Sequence, residues 1–316
     1  MPKYYIGIDL GGTNIAVAVV DAEGKIYGRS KRKTNRTRPC EEIFDDMVLC
    51  AREAVENSKL TMDDIECVGV GVPGTTDIEK GTIEYASTLG MKDAPVRDHI
   101  QNALGKKVYI ENDANAAAWG EFLAGSGLDT DNMIMITIGT GIGGGIIENG
   151  RILGGAYGKG AEVGHMVICA GGEECTCGRR GCFEMYASAT ALIRQTKKAM
   201  EENPESKLWE KVNTLDEVSG RTAFSADDDV AKTVVNNYLR YLSEGIIDIV
   251  NVFQPELICL GGGIAGEGDK ILVPINEAIS KYSYARHSKK HTKVIKATLG
   301  NDAGIIGAAL LWKNER

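Results

Sequence analysis

Apolar residues along this chain follow two rhythms. Short runs with little polar interruption predict buried strands: YYIGIDL at 4–10, IAVAVVD at 15–21, IECVGVGV at 65–72, KVYIEND at 107–113, MIMITI at 133–138 and ELICLGGG at 256–263. Between them, EEIFDDMVLCAREAVEN at 41–57 returns to an apolar residue every three or four positions, the spacing of a helix with one buried face. ANAAAWGEFLAG at 114–125, a stretch at about 183–202, DDDVAKTVVNNYLRYLSEGIIDIVNVF at 227–253 and AGIIGAALLWK at 303–313 predict further helices. Ser225-Ala226-Asp227 is the expected cap of the longest. Alternating strands and helices predict an α/β fold.

One pattern occurs twice. YYIGIDL is followed by the turn Gly11-Gly12-Thr13-Asn14, a second strand and the turn Ala22-Glu23-Gly24. MIMITI is followed by Gly139-Thr140-Gly141, the strand GGGIIENG and the hairpin pair Asn149-Gly150. A duplicated hairpin predicts two halves built on one plan.

Bulk composition narrows the classes. The chain has 316 residues, 43% apolar and 25% charged, enough for two domains with ordinary cores. A net charge of −8 argues against a broad nucleic-acid or anionic-membrane surface. The basic run KRKTNRTR at 31–38 reads as a solvated loop or edge strand, and its sequon Asn35-Arg36-Thr37 matters only in a secreted protein. The start, MPKYYIGIDLGG, enters a strand at once, so no secretory leader is expected. MIMITIGTGIGGGII is too short and too rich in glycine to span a bilayer. Scattered Cys40, Cys50, Cys67 and Cys259 suit a reducing compartment, and the expected location is the cytoplasm.

The glycine turns carry the first candidate chemistry. GTGIGG at 139–144 has the form of a dinucleotide fingerprint, but that motif needs a following helix and here a hairpin follows. Gly158-Lys159-Gly160 lacks the spacing and hydroxyl of a P-loop. What remains is a pair of Gly/Thr turns whose backbone N–H groups and hydroxyls can approach phosphate oxygens closely, with Gly261-Gly262-Gly263 as a third.

DLGGTN at 9–14, GTGIGGGII at 139–147 and LGGG at 260–263 resemble the two phosphate segments and the adenosine segment of the actin/hexokinase/Hsp70 ATPase superfamily. ENDANAAAWGE at 111–121, AEVGH at 161–165 and CTCGRRGCFE at 175–184 resemble the ROK family of sugar kinases and repressors. This likeness covers nearly the whole chain. It implies a two-domain actin-like (ribonuclease H-like) fold in which ATP and sugar meet in an interdomain cleft. The expected domains are 1–112 with the returning helix 303–316, and 113–302. Asp9, Gly11, Gly12, Thr13, Asn14, Thr140, Gly141, Gly262 and Gly263 are the expected nucleotide-binding residues, with Asp9 orienting hydrated Mg²⁺.

The segment EVGHMVICAGGEECTCGRRGCFE at 162–184 contains the pattern H-x₉-C-x-C-x₄-C. His165, Cys175, Cys177 and Cys182 would fill a tetrahedral zinc site and leave no open position, so the metal is expected to be structural; Cys169 is a spare. Such a site pins the loop that carries Glu162 and Glu184, and two carboxylates in one pocket suit the adjacent hydroxyls of a polyol. The resemblance implies the same sugar contacts, Glu162, His165 and Glu184, together with Gly74, Thr88 and Asn112.

Asp113 has two readings. Before ANAAAWGEF it is a good helix cap, and near a cleft it is a base for a sugar hydroxyl attacking the γ-phosphate. The family's catalytic Asp falls at this position. Where members often carry Asn-Leu-x-Trp ahead of that motif, this chain reads Ser87-Thr88-Leu89-Gly90-Met91, so N-acetylated hexosamines and fructose stand beside glucose as acceptors. The expected activity is an ATP-dependent hexose kinase, with glucose first among the acceptors and the 6-phosphate as product, hexose and ATP as its partners, no nucleic acid or membrane, and a homodimeric or homotetrameric assembly. The rival is a sugar-sensing regulator, against which stand the acidic chain and the eight residues before Asp9, too few for a helix-turn-helix.

Overall fold

The computed structural model describes residues 3–315. Strands β1 (Tyr4–Leu10), β2 (Asn14–Val20) and β3 (Ile26–Lys33) form an antiparallel meander, with Ile6 opposite Val19 and Val17 opposite Ser30. Helix α1 (Cys40–Asn57) leads to β4 (Ile65–Val72), parallel to β1. Three short antiparallel strands, β5 (Thr75–Asp77), β6 (Thr82–Ala86) and β7 (Met91–Ala94), make a small separate sheet. Helix α2 (Val96–Leu104), β8 (Lys107–Asn112) and α3 (Asp113–Ala124) follow, and β8 closes the first sheet in the order β3-β2-β1-β4-β8.

The second half repeats the order. Strands β9 (Met133–Ile138), β10 (Ile142–Glu148), β11 (Arg151–Ile152), β12 (Leu257–Gly261) and β13 (Lys293–Lys296) line up as β11-β10-β9-β12-β13. The duplicated hairpin read from the sequence is therefore the start of a duplicated sheet. Its turn Asn149-Gly150 has φ of 50° and 70°, the left-handed pair that a tight hairpin requires.

The helices of this half are α4 (Glu184–Ala187), α5 (Ala189–Glu202), α6 (Thr222–Ser225), α7 (Asp229–Phe253) and α8 (Asp269–Tyr282). The continuous helix expected near 183–202 is interrupted. Ser188 adopts extended backbone and caps α5, its side chain accepting from Ala191 N–H at 3.1 Å. The cap of α7 is Asp228, which accepts from Ala231 N–H at 2.8 Å, not the Ser225–Asp227 segment.

By contacts the chain divides into one unit of 1–135, 145–161 and 298–316 and a second of 136–144 and 162–297. This differs from the expected division at residue 112, because α3 packs tightly on the terminal helix α9 (Ala303–Ala309), both in the first unit. That unit's core lies under α1, where Phe44 and Met47 are fully buried with Ile6, Val17 and Val68. Each such side chain contributes about 1.5–3 kcal/mol on burial. The basic run ends β3 at the sheet edge, where Arg32 pairs with Glu53 of α1 and Arg38 lies 2.5 Å from Asp46. On the opposite face α9 rests directly on the sheet. Gly7 and Gly69 face each other across β1 and β4, and a Cβ on either would come within 2 Å of a carbonyl oxygen, of Ile305 or of Ala308.

Candidate active site

In the first unit, the turn after β1 is closed by Gly11 N–H donating to Asn14 C=O at 2.9 Å. Thr34 braces it twice, its hydroxyl donating to Gly11 C=O at 2.7 Å and its N–H to Thr13 C=O at 3.0 Å. Thr13 is left exposed. A Cβ at Gly12 would lie 3.7 Å from Thr88 Cβ, so the exposed Thr88 stands next to this turn.

The start of α3 shows which residue caps the helix. Asn112 is the cap: in extended backbone, its Oδ1 accepts from Ala114 N–H at 2.9 Å and Asn115 N–H at 3.2 Å. Its Nδ2 donates to Gly74 C=O at 3.1 Å. Asp113 is the first helical residue, and its Oδ1 accepts from Ala114 N–H at 2.9 Å. Asp9, near the end of β1, is largely buried, and burial, followed by the charge of Asp113, pushes its carboxyl up to about 6. The two carboxylates therefore share one field.

Glu111 was not singled out by its sequence. Only 4% exposed, it accepts from Asn112 N–H at 2.9 Å and from Asn115 Nδ2 at 3.1 Å through one oxygen. Burial pushes its carboxyl up, and the two hydrogen bonds oppose that shift. The signal available in the sequence was a carboxylate inside the run KVYIEN, where the strand pattern calls for an apolar side chain.

In the second unit, Gly139 N–H donates to Gly141 C=O at 3.0 Å, and Ala189 N–H, at the start of α5, donates to Gly139 C=O at 2.9 Å. Thr140 is exposed at the tip. Gly262, at φ +87°, sits so close to the end of β9 that a Cβ would come 2.2 Å from Ile138 C=O. The Gly139-Thr140-Gly141 turn and the Gly262-Gly263 turn are thus brought side by side.

The expected metal residues also come together. The ligand atoms of His165, Cys175, Cys177 and Cys182 all lie within 4.8 Å of one another, and Cys169 is outside the group. Cys177 and Cys182 sulfurs are 3.6 Å apart, and Cys175 Sγ is 3.6 Å from His165 Nδ1. A tetrahedral zinc with ~2.3 Å bonds to sulfur and ~2.0 Å to nitrogen separates its ligands by about 3.5–3.8 Å, so the donor set fits and these two pairs have the right spacing. The loop is preshaped by Cys175 N–H donating to Arg179 C=O at 2.9 Å and Phe183 N–H to Met166 C=O at 2.7 Å. Glu184, the first residue of α4, places Oε1 3.0 Å from Cys175 Sγ and 3.5 Å from His165 Nδ1. Glu162 is exposed one turn before His165, whose N–H donates to its carbonyl at 3.1 Å.

Two cavities, of about 940 and 660 Å³, lie elsewhere: the first is lined by Asp77, Glu84, Arg151 and Lys159 and touches this constellation only at Glu111, and the second runs along α5 and α7. Among the described residues no helix is long and apolar enough to cross a membrane.

The ROK family model matches residues 5–315. A glucokinase of Halalkalibacterium halodurans is 36% identical over 99% of this chain and 96% of its own. The crystal structure of a ROK family glucokinase from Streptomyces griseus in complex with glucose and AMPPNP superposes with a TM-score of 0.81 at 35% identity, covering 98% of each chain. The ROK hexokinase from Thermus thermophilus gives a TM-score of 0.80 at 31% identity over 97% of each. The fold is accordingly the two-domain actin-like ATPase fold of those kinases.

Proposed function

We infer, since the chain belongs to the ROK family, that it is an ATP-dependent sugar kinase, a glucokinase that moves the γ-phosphoryl group of ATP to the 6-hydroxyl of glucose. The observation that carries the catalytic assignment is the division of roles at the start of α3. Asn112 takes the capping bonds, so a carboxylate at residue 113 is not needed to start the helix.

In this reading Asp113 accepts the proton of the 6-hydroxyl as that oxygen bonds to the γ-phosphorus. The bond from phosphorus to the β,γ-bridging oxygen breaks, and ADP leaves with that electron pair. Phosphoryl transfer asks the protein mainly for positioning and charge neutralisation, so an ordinary carboxylate is an adequate base. Mg²⁺ bound with ATP neutralises charge on the phosphates, and Asp9 is the residue that would orient its hydration shell. Backbone N–H groups around Gly11, Gly12, Asn14 and Gly141, with the hydroxyls of Thr13 and Thr140, suit the phosphate oxygens, and Gly262 and Gly263 the adenosine. Gly74, Thr88, Asn112, Glu162, His165 and Glu184 are the proposed sugar contacts. With Nδ1 turned to the thiolates, His165 keeps Nε2 for a hydroxyl. Zinc in this closed site would act as a staple for the loop. A homodimer or homotetramer is the assembly we propose on the family likeness.

The test is a panel of hexoses with ATP in a coupled ADP assay. Glucose should exceed fructose, N-acetylglucosamine and N-acetylmannosamine at least tenfold in kcat/KM. A hexosamine in first place would reassign the acceptor, and no turnover with any sugar would leave a sugar-binding regulator.

A further inference from the structure

Glu111 is a carboxylate in a place where carboxylates are costly. It is 4% exposed, and among the described residues it forms no ion pair. An isolated buried charge destabilises a fold unless hydrogen bonds offset it, and Glu111 has two, both on the same oxygen. Its neighbour adds a second cost. Asn115 turns Nδ2 toward Glu111 and leaves its own Oδ1 buried without a hydrogen-bond partner. Two locally unfavourable choices at one point of a well-packed helix start mark a place shaped for something other than stability.

The far end of α3 shows what a purely structural carboxylate looks like in this chain. Glu121, fully buried, accepts five hydrogen bonds across both oxygens, from Ser126 N–H and hydroxyl, Thr298 N–H and hydroxyl and Leu299 N–H, at 2.7–3.1 Å. It ties the helix end to the segment that enters α9. Glu111 is less satisfied, and its two bonds go elsewhere. One holds the backbone N–H of Asn112, the residue just before Asp113. The other holds the side chain of Asn115, two residues after it. A single oxygen therefore spans Asp113 from both sides.

We propose that Glu111 is a positioning residue for the base: by gripping Asn112 and Asn115 it fixes the direction in which Asp113 leaves the helix start. This rests on the reading of Asp113 as the base. The register supports the geometry, because Glu111, near the end of the edge strand β8, pairs with Gly71 and is held beside β4. A displacement of about 1 Å in a reacting group can lower a rate about a hundredfold, so a small loss of aim is visible in kcat.

The experiment compares Glu111→Leu, Glu111→Gln and Asn115→Ala in the full-length enzyme. Glu111→Leu should lower kcat about 10- to 100-fold while the KM values for glucose and ATP stay within about twofold. Glu111→Gln, whose amide oxygen can accept the same two bonds, should recover kcat to within about threefold of wild type. Asn115→Ala removes one grip and should fall between them, and it remains informative if Glu111→Leu does not fold. Three results overturn the proposal: kcat unchanged in a folded Glu111→Leu or in Asn115→Ala, Gln failing to rescue, or both KM values rising with the loss of kcat. Asp113→Asn serves as the reference. If it too retains turnover, the assignment of the base has failed; if it is dead while Glu111→Leu is normal, only the positioning role has.

Discussion

Glu184 lies against Gly141: a Cβ at residue 141 would stand 2.5 Å from Glu184 Oε2, while Oε1 of the same carboxylate is 3.0 Å from Cys175 Sγ. One side chain thus touches both the Gly139-Thr140-Gly141 turn and Cys175 of the candidate metal cluster. On the proposed roles, the loop that carries this cluster reaches the nucleotide as well as the sugar.

Metal analysis should find about one zinc per chain. Closed zinc sites carry roughly 10–16 kcal/mol of apparent binding energy, much of it local folding energy. Cys177→Ser should therefore release the metal and raise the KM for glucose. Through Glu184 it should raise the KM for ATP as well, by a smaller factor. A zinc-free enzyme with wild-type constants would remove the staple from the account.

Glu184→Gln keeps the shape of the side chain and removes its charge. A hydrogen bond to a charged group is worth about 1.5–3 kcal/mol, so the KM for glucose should rise roughly ten- to a hundredfold. Steady-state kinetics showing less than a twofold rise would make Glu184 a spacer beside Gly141 and no sugar ligand.

Asp113→Asn and Asn112→Ala should separate catalysis from capping. Losing a general base costs roughly a hundred- to ten-thousandfold in rate, so Asp113→Asn should collapse kcat with an unchanged unfolding midpoint. Asn112→Ala should instead lower stability by about 0.5–2 kcal/mol, the usual value of a cap. Kinetics and denaturant unfolding on the two variants read this directly, and turnover by Asp113→Asn within fivefold of wild type would end its role as base.

Asp9 makes stability depend on pH in the absence of Mg²⁺. Its carboxyl is raised from 3.8 to about 6, so the folded state holds the proton more tightly than the unfolded chain. That contribution is fully present below about pH 4 and is lost as the pH rises through about 6, a swing of about 3 kcal/mol. In magnesium-free buffer Asp9→Asn should be more stable than wild type at pH 7 by that order, with the difference gone at pH 4. Equal urea midpoints at pH 7 would contradict it.

The strands with continuous apolar runs were legible because burial on both faces leaves little choice of residue, and β1 and β4 fall where the pattern puts them. The small sheet β5–β7 was not. TTD, TIEYA and MKDA are short and half polar, and they pair with one another away from any strong apolar run. Helix α8 was hidden by Pro274 in its interior, and β13 by its shortness and the lysine at each end. At the site, the Gly/Thr turns and the clustering of His165 with three cysteines could be read because their chemistry restricts the residue types. The one-residue offset between Asn112 and Asp113 could not, since either caps a helix and only backbone geometry decides which does. Glu184 was read as a flank of the metal loop, but nothing in the linear order brings residue 184 to residue 141.

The seating of α9 on Gly7 and Gly69 has a consequence for how the protein is made. The strands of the first sheet leave the ribosome well before the helix that covers one of their faces, since β8 ends at residue 112 and α9 starts at residue 303. At ~5–20 residues per second the nascent chain waits roughly ten seconds to a minute with that face uncovered. During this interval the surface that will receive Ile305 and Ala308 is open to solvent, to chaperones and to other nascent chains. Birth order and assembly order are thus uncoupled in this chain, and the yield of native enzyme depends on how well that interval is guarded.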